Sequence, residues 1–348
     1  MVEIIMQYGL FLAETITFVI AFVVILAAIA GFSSKNKSNE QGYIETKNLN
    51  TEYDAMKESI QHEVLTKQQL KANAKQYKTD DKAKTKLAND DSVTRRKRSF
   101  VLNFDGDIKA SAVESLRREI SAVLSIAEPQ DEVILVLESS GGMVHAYGLA
   151  ASQLDRIKKR DISLTVCVDK VAASGGYMMA VLADKILAAP FAVLGSIGVV
   201  AQLPNFHRLL QKNDIDVELL TAGEYKRTLT MLGENTDKGR EKFVEELEDT
   251  HTLFKDFVSE RRPQLDIAAV ATGEVWYGAQ AVGNQLIDDL ITSDEYIMTA
   301  CDSADVYQVT YTQKKSVADK LGFSAQRAMD RVLLAWQNYS IKDRFSHK

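Results

Sequence analysis

The run Val133-Ile134-Leu135-Val136-Leu137-Glu138-Ser139-Ser140-Gly141-Gly142 decides the fold. An unbroken apolar stretch of this length reads as a strand buried on both faces, as in a parallel sheet covered by helices. Two glycines end it, and a helical period follows from about Ala146 to Ile157. The same grammar recurs on either side. Upstream, Val101–Phe104 is a short apolar run, followed by a helical spacing through Val113, Leu116, Ile120, Val123 and Leu124. Downstream, Ile162–Val168 is a third strand, broken at Ala172–Gly176, where a third helix begins. Alternation of this kind places the chain in the α/β class.

Three interruptions fall at strand ends, where open α/β sheets bind their ligands. They are Glu138-Ser139-Ser140-Gly141-Gly142, Ala172-Ala173-Ser174-Gly175-Gly176-Tyr177 and Leu194-Gly195-Ser196-Ile197-Gly198. Tight turns alone account for any one of them. A serine beside glycine in all three points to catalysis.

Composition narrows the classes. The 348 residues suggest about two domains. With 46% apolar and 26% charged residues, bulk disorder, collagen and a many-span transporter are excluded. Cys167 and Cys301 cannot build a disulfide framework or a four-ligand zinc site, and they read as free, partly buried thiols. The net charge of −6 argues against nucleic acid as a partner.

Charge divides the chain into segments. Residues 1–32 carry Glu3 and Glu14 and no Lys or Arg, and Ile16 to Phe32 has no charged residue. A membrane-spanning helix needs about 20 mainly apolar residues. The run is too long for a signal peptide and lacks a positive region before it, so residues 8–32 read as an uncleaved bilayer anchor. Residues 33–98 hold 15 Lys/Arg against 10 Asp/Glu and form a lysine-rich linker. Within it, Tyr53, Met56, Ile60, Val64 and Glu63–Ala74 fit an amphipathic helix. Its closing cluster Arg95-Arg96-Lys97-Arg98 reads either as a contact for anionic lipid headgroups or as a solvated tail. Residues 99–292 form the core, and 293–348 a helical extension whose helix, roughly Ser316–Tyr339, carries Leu321, Ala328, Val332, Leu333 and Trp336. That extension either packs on a neighbour or covers the chain's own core.

Common catalytic signatures are missing. The sequence has no G-x-x-x-x-G-K-[ST], no G-x-G-x-x-G, no H-E-x-x-H and no G-x-S-x-G. His145 reads as a residue of a helix start rather than as part of a triad. Ser174 is the attractive nucleophile, because the amide of Gly175 and one from Gly141 or Gly142 can face an oxyanion. A lysine can serve as its base when burial lowers the amine from its usual pKa of ~10.4 to ~7–8. Lys226, after the apolar run ending Leu219-Leu220 and a turn at Gly223, is the candidate, and its local sequence also fits an ordinary solvated surface lysine.

These residues resemble a known family. Ser174-Gly175-Gly176-Tyr177, Gly195-Ser196-Ile197-Gly198, Gly223-Glu224-Tyr225-Lys226 and Trp276-Tyr277-Gly278-Ala279-Gln280-Ala281, leading to Leu286-Ile287-Asp288, resemble signal peptide peptidase A, the bacterial Ser/Lys membrane proteases. The amino-terminal apolar run and lysine-rich stretch look most like its SohB-type branch. The resemblance covers roughly residues 99–292. It implies a Clp protease/crotonase-like β-β-α spiral core rather than a doubly wound sheet. It makes Ser174 the nucleophile, Lys226 the general base, Ser196 the residue that orients the lysine, and Gly175 with Gly141-Gly142 the oxyanion positions. It also implies a homo-oligomer in which the lysine comes from an adjacent subunit, with no cofactor and no metal. Substrates would be extended peptides such as signal-peptide remnants. One departure stands out: the family pattern N-S-P-G-G reads Glu138-Ser139-Ser140-Gly141-Gly142 here.

Two other classes fit less well. A crotonase-like acyl-thioester enzyme would want carboxylates in place of Ser174 and Lys226. A non-catalytic membrane-anchored scaffold has no need to keep both. The expected site is the bacterial inner membrane. Lys35, Lys37 and Lys47 put the core on the cytoplasmic side by the positive-inside rule, whereas the resemblance puts it in the periplasm.

Overall fold

The computed structural model describes residues 9, 12, 14–21, 42–73 and 95–313. Most of the expected anchor, and the expected helix at 316–339, lie outside them. Among the described residues no helix is long and apolar enough to cross a membrane. The compact unit Ile44–Tyr311 carries the features that follow.

Among the described residues, nine strands form one sheet. In chain order they are β1 (Tyr43–Asn48), β2 (Arg98–Gly106), β3 (Glu132–Ser139), β4 (Ser163–Val168), β5 (Val171–Ala173), β6 (Lys185–Ala188), β7 (Val193–Gly195), β8 (Val275–Tyr277) and β9 (Asp305–Thr312). The helices that position the site are α1 (Leu49–Val64), α2 (Val113–Leu124), α3 (Val144–Lys158) and α4 (Gly175–Ala180). After them come α5 (His207–Lys212), α6 (Asp237–Arg261), α7 (Ile267–Val270), α8 (Gly278–Ala281) and α9 (Ser293–Ser303). The path runs β1-β9-β2-β3-β5-β7-β8 and forks at β3. There, Glu132–Val136 pairs with β4, which continues to β6, while Ser139 pairs with Ala172 of β5. β2–β3, β3–β4, β4–β6 and β5–β7 are parallel, and β8 closes antiparallel on β7. This mixed α/β sheet fits a Clp protease-like core.

Burial on both faces of β3 follows the pleat. Val133, Leu135 and Leu137 enter the larger core with Leu116, Ile120, Leu154 and Ile157 of α2 and α3. Ile134 enters a smaller one with Leu49, Ile297 and Val306 under α1 and α9. The 3–4–3 spacing of Val113, Leu116, Ile120 and Val123 is what lays α2 on the sheet.

Two boundaries differ from the sequence reading. The lysine-rich linker is not all linker, because β1 joins the sheet and α1 begins directly after it. The expected amphipathic helix is there but broken: Leu49–Val64 carries Tyr53, Met56, Ile60 and Val64, and after Leu65 and Thr66 residues 67–73 are helical again. Asn50 ties α1 down, donating to the carbonyls of Cys301 and Ala304 and accepting from the Val306 amide. The sheet also runs past residue 292, since β9 pairs with β2.

The basic cluster is the clearest correction: neither lipid contact nor solvated tail describes it. Arg95 and Arg98 both bond Asp131, whose side chain is fully buried. Arg96 bonds Asp305 and Lys97 bonds Glu132. Burial pushes the Asp131 carboxyl up, but hydrogen bonds from Arg98, the Glu128 amide and Arg95 outweigh it and lower the pKa to about 2. All four cations are paired with carboxylates of the same chain.

A second latch joins two sequence motifs. Tyr177, fully buried, donates its hydroxyl to the Leu286 carbonyl at 2.8 Å. Asp288 accepts from the Ile186 amide at 2.7 Å and from Arg262, which is only 4% exposed, at 2.9 Å. Removing one partner of such a pair leaves a buried charge unpaired, which costs about 3–5 kcal/mol. Asp288→Ala is therefore expected to lower the unfolding free energy by about 3 kcal/mol in denaturant titration. A loss under about 0.5 kcal/mol would mean that the pair contributes nothing net.

Candidate active site

Sheet order brings the three serine–glycine turns together. β3, β5 and β7 are neighbours, with Ser139 opposite Ala172 and Ala173 opposite Gly195. The turns that follow them open into one cavity of about 1110 Å³, lined by Gly141, Gly142, Ser174, Gly175, Ser196 and Gly198. Segments 33 and 22 residues apart thus meet through strand pairing, a non-local consequence of topology.

Ser174 sits between β5 and α4 with φ +52° and ψ −118°, a conformation L-residues rarely adopt. Two bonds hold it there. Its N–H donates to the Gly195 carbonyl at 2.8 Å, and its own carbonyl accepts from the Met178 amide at 2.9 Å. Ser196, with φ +48°, is fixed by its N–H to the Glu274 carbonyl at 2.7 Å. Strained backbone at two cavity-lining serines is the pattern of a functional site.

The glycines are there because nothing else fits. A Cβ on Gly141, whose φ is +88°, would stand 2.7 Å from the Ser174 Cβ. One on Gly175 would stand 2.3 Å from the Tyr147 ring. Backbone amides can therefore approach a substrate bound at Ser174 without a side chain between. The Gly141 amide, however, already donates to Ser139 Oγ at 3.1 Å. Of the two glycines offered for the oxyanion, Gly142 is the one whose N–H has no partner among the described residues, as is also true of Gly175.

Apolar side chains of Met178, Phe254 and Phe257 form one wall of the cavity. His251 of α6 also lines it, and its Nε2–H donates to the Ile197 carbonyl at 3.2 Å. The sequence reading missed this histidine, because nothing local marks α6 as packing over the Ser196 turn. His145 lies exposed in the first turn of α3 and does not line the cavity. Glu138, the departure at the first glycine turn, points away as well. It pairs with Lys170 at 2.8 Å, so its charge is countered outside the cavity.

Lys226 is elsewhere. It follows the turn at Gly223, to whose carbonyl its N–H donates at 3.2 Å; its side chain is exposed and does not line the cavity. No ion pair among the described residues engages its ammonium. The segment that leads to it leaves Leu209, Ile215, Leu219 and Leu220 exposed at 50% or more. Large exposed apolar surface on a domain marks a place where something binds.

Comparison with known proteins decides the family. Residues 3–154 match the model of the peptidase family S49 N-terminal region, and residues 156–307 match that of peptidase family S49. The chain belongs to peptidase family S49. It is 47% identical to "Probable protease SohB" of Haemophilus influenzae over 98% of both chains. It is 44% identical to the protein of the same name from Buchnera aphidicola, over 97% of this chain and 99% of that one. An Enterococcus faecium protein named as a signal peptide peptidase SppA is 27% identical over 59% of each. An S49 chain is a peptidase. Among the described residues no cluster of His, Cys, Asp and Glu is placed to hold a metal ion.

Proposed function

We propose that this S49 peptidase is a membrane-anchored serine endopeptidase with a Ser174/Lys226 dyad completed between two copies of the chain. The observation that carries the reading is the convergence of the three turns on one cavity, with a strained Ser174 beside two unengaged glycine amides. Lys226, exposed on an apolar segment outside that cavity, supports delivery of the base by a neighbour. Covering that segment would also dry the amine, which favours its neutral, proton-accepting form.

The chemistry follows in two halves. The neutral Lys226 amine takes the Ser174 hydroxyl proton as Oγ bonds to the peptide carbonyl carbon. The carbonyl oxygen becomes an oxyanion held by the Gly175 and Gly142 amides. Collapse breaks the C–N bond, and the leaving amine takes the proton back from the lysine. Water then adds to the ester carbonyl and gives a proton to the lysine; the C–Oγ bond breaks, the acid leaves, and the lysine returns that proton to Ser174 Oγ. Ser196, on the adjacent turn, orients the amine. Extended peptides such as signal-peptide remnants suit a groove beside strand ends, where backbone pairing supplies affinity with loose sequence preference. The uncharged run Ile16–Phe32 supports anchoring in the inner membrane.

Covalent labelling tests the reading. A fluorophosphonate or a lipopeptide aldehyde is expected to modify the full-length protein at Ser174 alone, mapped by peptide mass. Ser174→Ala should take up no label. A non-catalytic scaffold is the rival that the exposure of Lys226 favours, and a chain that never reacts at Ser174 would establish it.

A further inference from the structure

Beneath the Gly141-Gly142 turn, a chain of hydrogen bonds runs in one direction only. The Asp107 carbonyl can only accept, so the Tyr147 hydroxyl spends its single proton there, at 2.8 Å. The same Tyr147 oxygen lies within a short hydrogen bond of Ser139 Oγ and accepts from it, the other acceptor in reach of that hydroxyl, the Gly106 carbonyl, standing farther off at 3.4 Å. Ser139, its proton spent, accepts in turn from the Gly141 amide at 3.1 Å. The order Gly141 N–H to Ser139 to Tyr147 to the Asp107 carbonyl uses every proton once. Tyr147 is fully buried and Ser139 is 2% exposed, so no water competes for these groups. The Tyr147 ring also lies directly under Gly175, where any Cβ would collide with it at 2.3 Å. One side chain thus supports both glycine turns, and on the far side of Gly142 the Ile108 carbonyl accepts from Met143 at 2.9 Å.

We propose that Tyr147, acting through Ser139, is the positioning residue that aims the Gly142 amide at the oxyanion of the acyl-transfer step. The proposal rests on the hydrolysis at Ser174 described above. By occupying the Gly141 amide, the chain leaves Gly142 as the amide this turn presents to the cavity, beside that of Gly175. Tyr147 touches no substrate. It works by fixing the turn to within a few tenths of an ångström, the tolerance that oxyanion stabilisation demands. Its hydroxyl matters only as the oxyanion develops, so its loss should slow the chemical step without weakening peptide binding.

The test uses the full-length enzyme with a chromogenic peptide. Tyr147→Phe keeps the buried ring and removes only the oxygen. It is expected to lower kcat about 10- to 100-fold with KM changed less than about twofold. Affinity for a peptide aldehyde, whose adduct carries the same oxyanion, should fall in parallel with kcat. Ser139→Ala breaks the same chain with a smaller change to the core, and stands in if Tyr147→Phe does not fold. The two substitutions together should be no worse than the stronger alone, because they interrupt one path. A folded Tyr147→Phe with kcat within twofold of the wild type overturns the proposal. So does a loss shared equally by KM and kcat, or single effects that multiply in the double variant. If the wild type shows no hydrolysis that depends on Ser174, the function proposed above fails and this inference with it. Ser174-dependent turnover indifferent to Tyr147 refutes the inference alone.

Discussion

Ser174→Ala is expected to cut peptide hydrolysis by at least about 10⁴-fold while leaving the protein as stable as before. The activity half of this expectation follows from covalent chemistry. Without Oγ there is no atom to form the ester, and water cannot occupy the same attack position with the same activation. The stability half follows from the backbone. Ser174 sits at φ +52° and ψ −118°, held by its bonds to Gly195 and Met178, neither of which involves the side chain. Alanine meets the same steric cost and keeps both bonds. Glycine would not meet that cost. Relief of such strain is worth about 1–3 kcal/mol, less about 1 kcal/mol for the greater freedom of glycine in the unfolded chain. Ser174→Gly should therefore be equally inactive yet melt higher, by about 2–4 °C for each kcal/mol gained. Calorimetry on the three proteins reads this directly. A Ser174→Gly variant that melts well below the wild type refutes the account of strain, and a Ser174→Ala enzyme with a hundredth of normal activity refutes the nucleophile.

The strand-and-turn core was legible because its signals are local. An apolar run such as Val133–Leu137 has no other stable place, and a glycine pair after it has few alternatives to a tight turn. The three turns were therefore found one by one, and parallel pairing joined them. What local pattern does not encode is the partner across space. Arg95, Arg96, Lys97 and Arg98 read as a free cationic patch because Asp131, Glu132 and Asp305 lie 33 or more residues away in sequence. Strand β1 was hidden for another reason: Tyr43-Ile44-Glu45-Thr46-Lys47-Asn48 is short, polar and at the sheet edge, where no continuous apolar run is needed. Tyr147 appeared only as one position in a helical stretch. Its hydroxyl acquires meaning from Ser139 and Asp107, which reach it from two other segments. Lys226 was legible as a residue type after an apolar run but not as a placement, since its apolar neighbours find no cover within the described chain.

Lys226→Ala should be as inactive as Ser174→Ala, and the two inactive proteins should restore each other. The reasoning is geometric. Ser174 lines the cavity of its own chain, and Lys226 lies exposed on a segment outside it. If the base arrives from a neighbour, each site draws its serine from one copy and its lysine from the next. A Lys226→Ala copy then still offers Ser174, and a Ser174→Ala copy still offers Lys226. Where the first lies beside the second in the correct order, the site contains both groups. With equal expression and random assembly into a closed symmetric oligomer, about a quarter of the sites are complete, so about a quarter of wild-type activity should return. Differently tagged variants, co-expressed and purified as one pool, supply the mixture, capture of one tag by the other confirms that copies mix, and a peptide assay reads the result. Were both groups contributed by one chain, every chain in the mixture would lack one of them. Mixed oligomers that stay silent would place the base within the chain that holds the serine. Substantial activity in Lys226→Ala alone would remove lysine from the mechanism and turn attention to His251, the titratable side chain that lines the cavity. Recovery near a quarter would show that the exposed apolar stretch around Lys226 is a subunit contact, because only a neighbour seated there can carry the amine to Ser174.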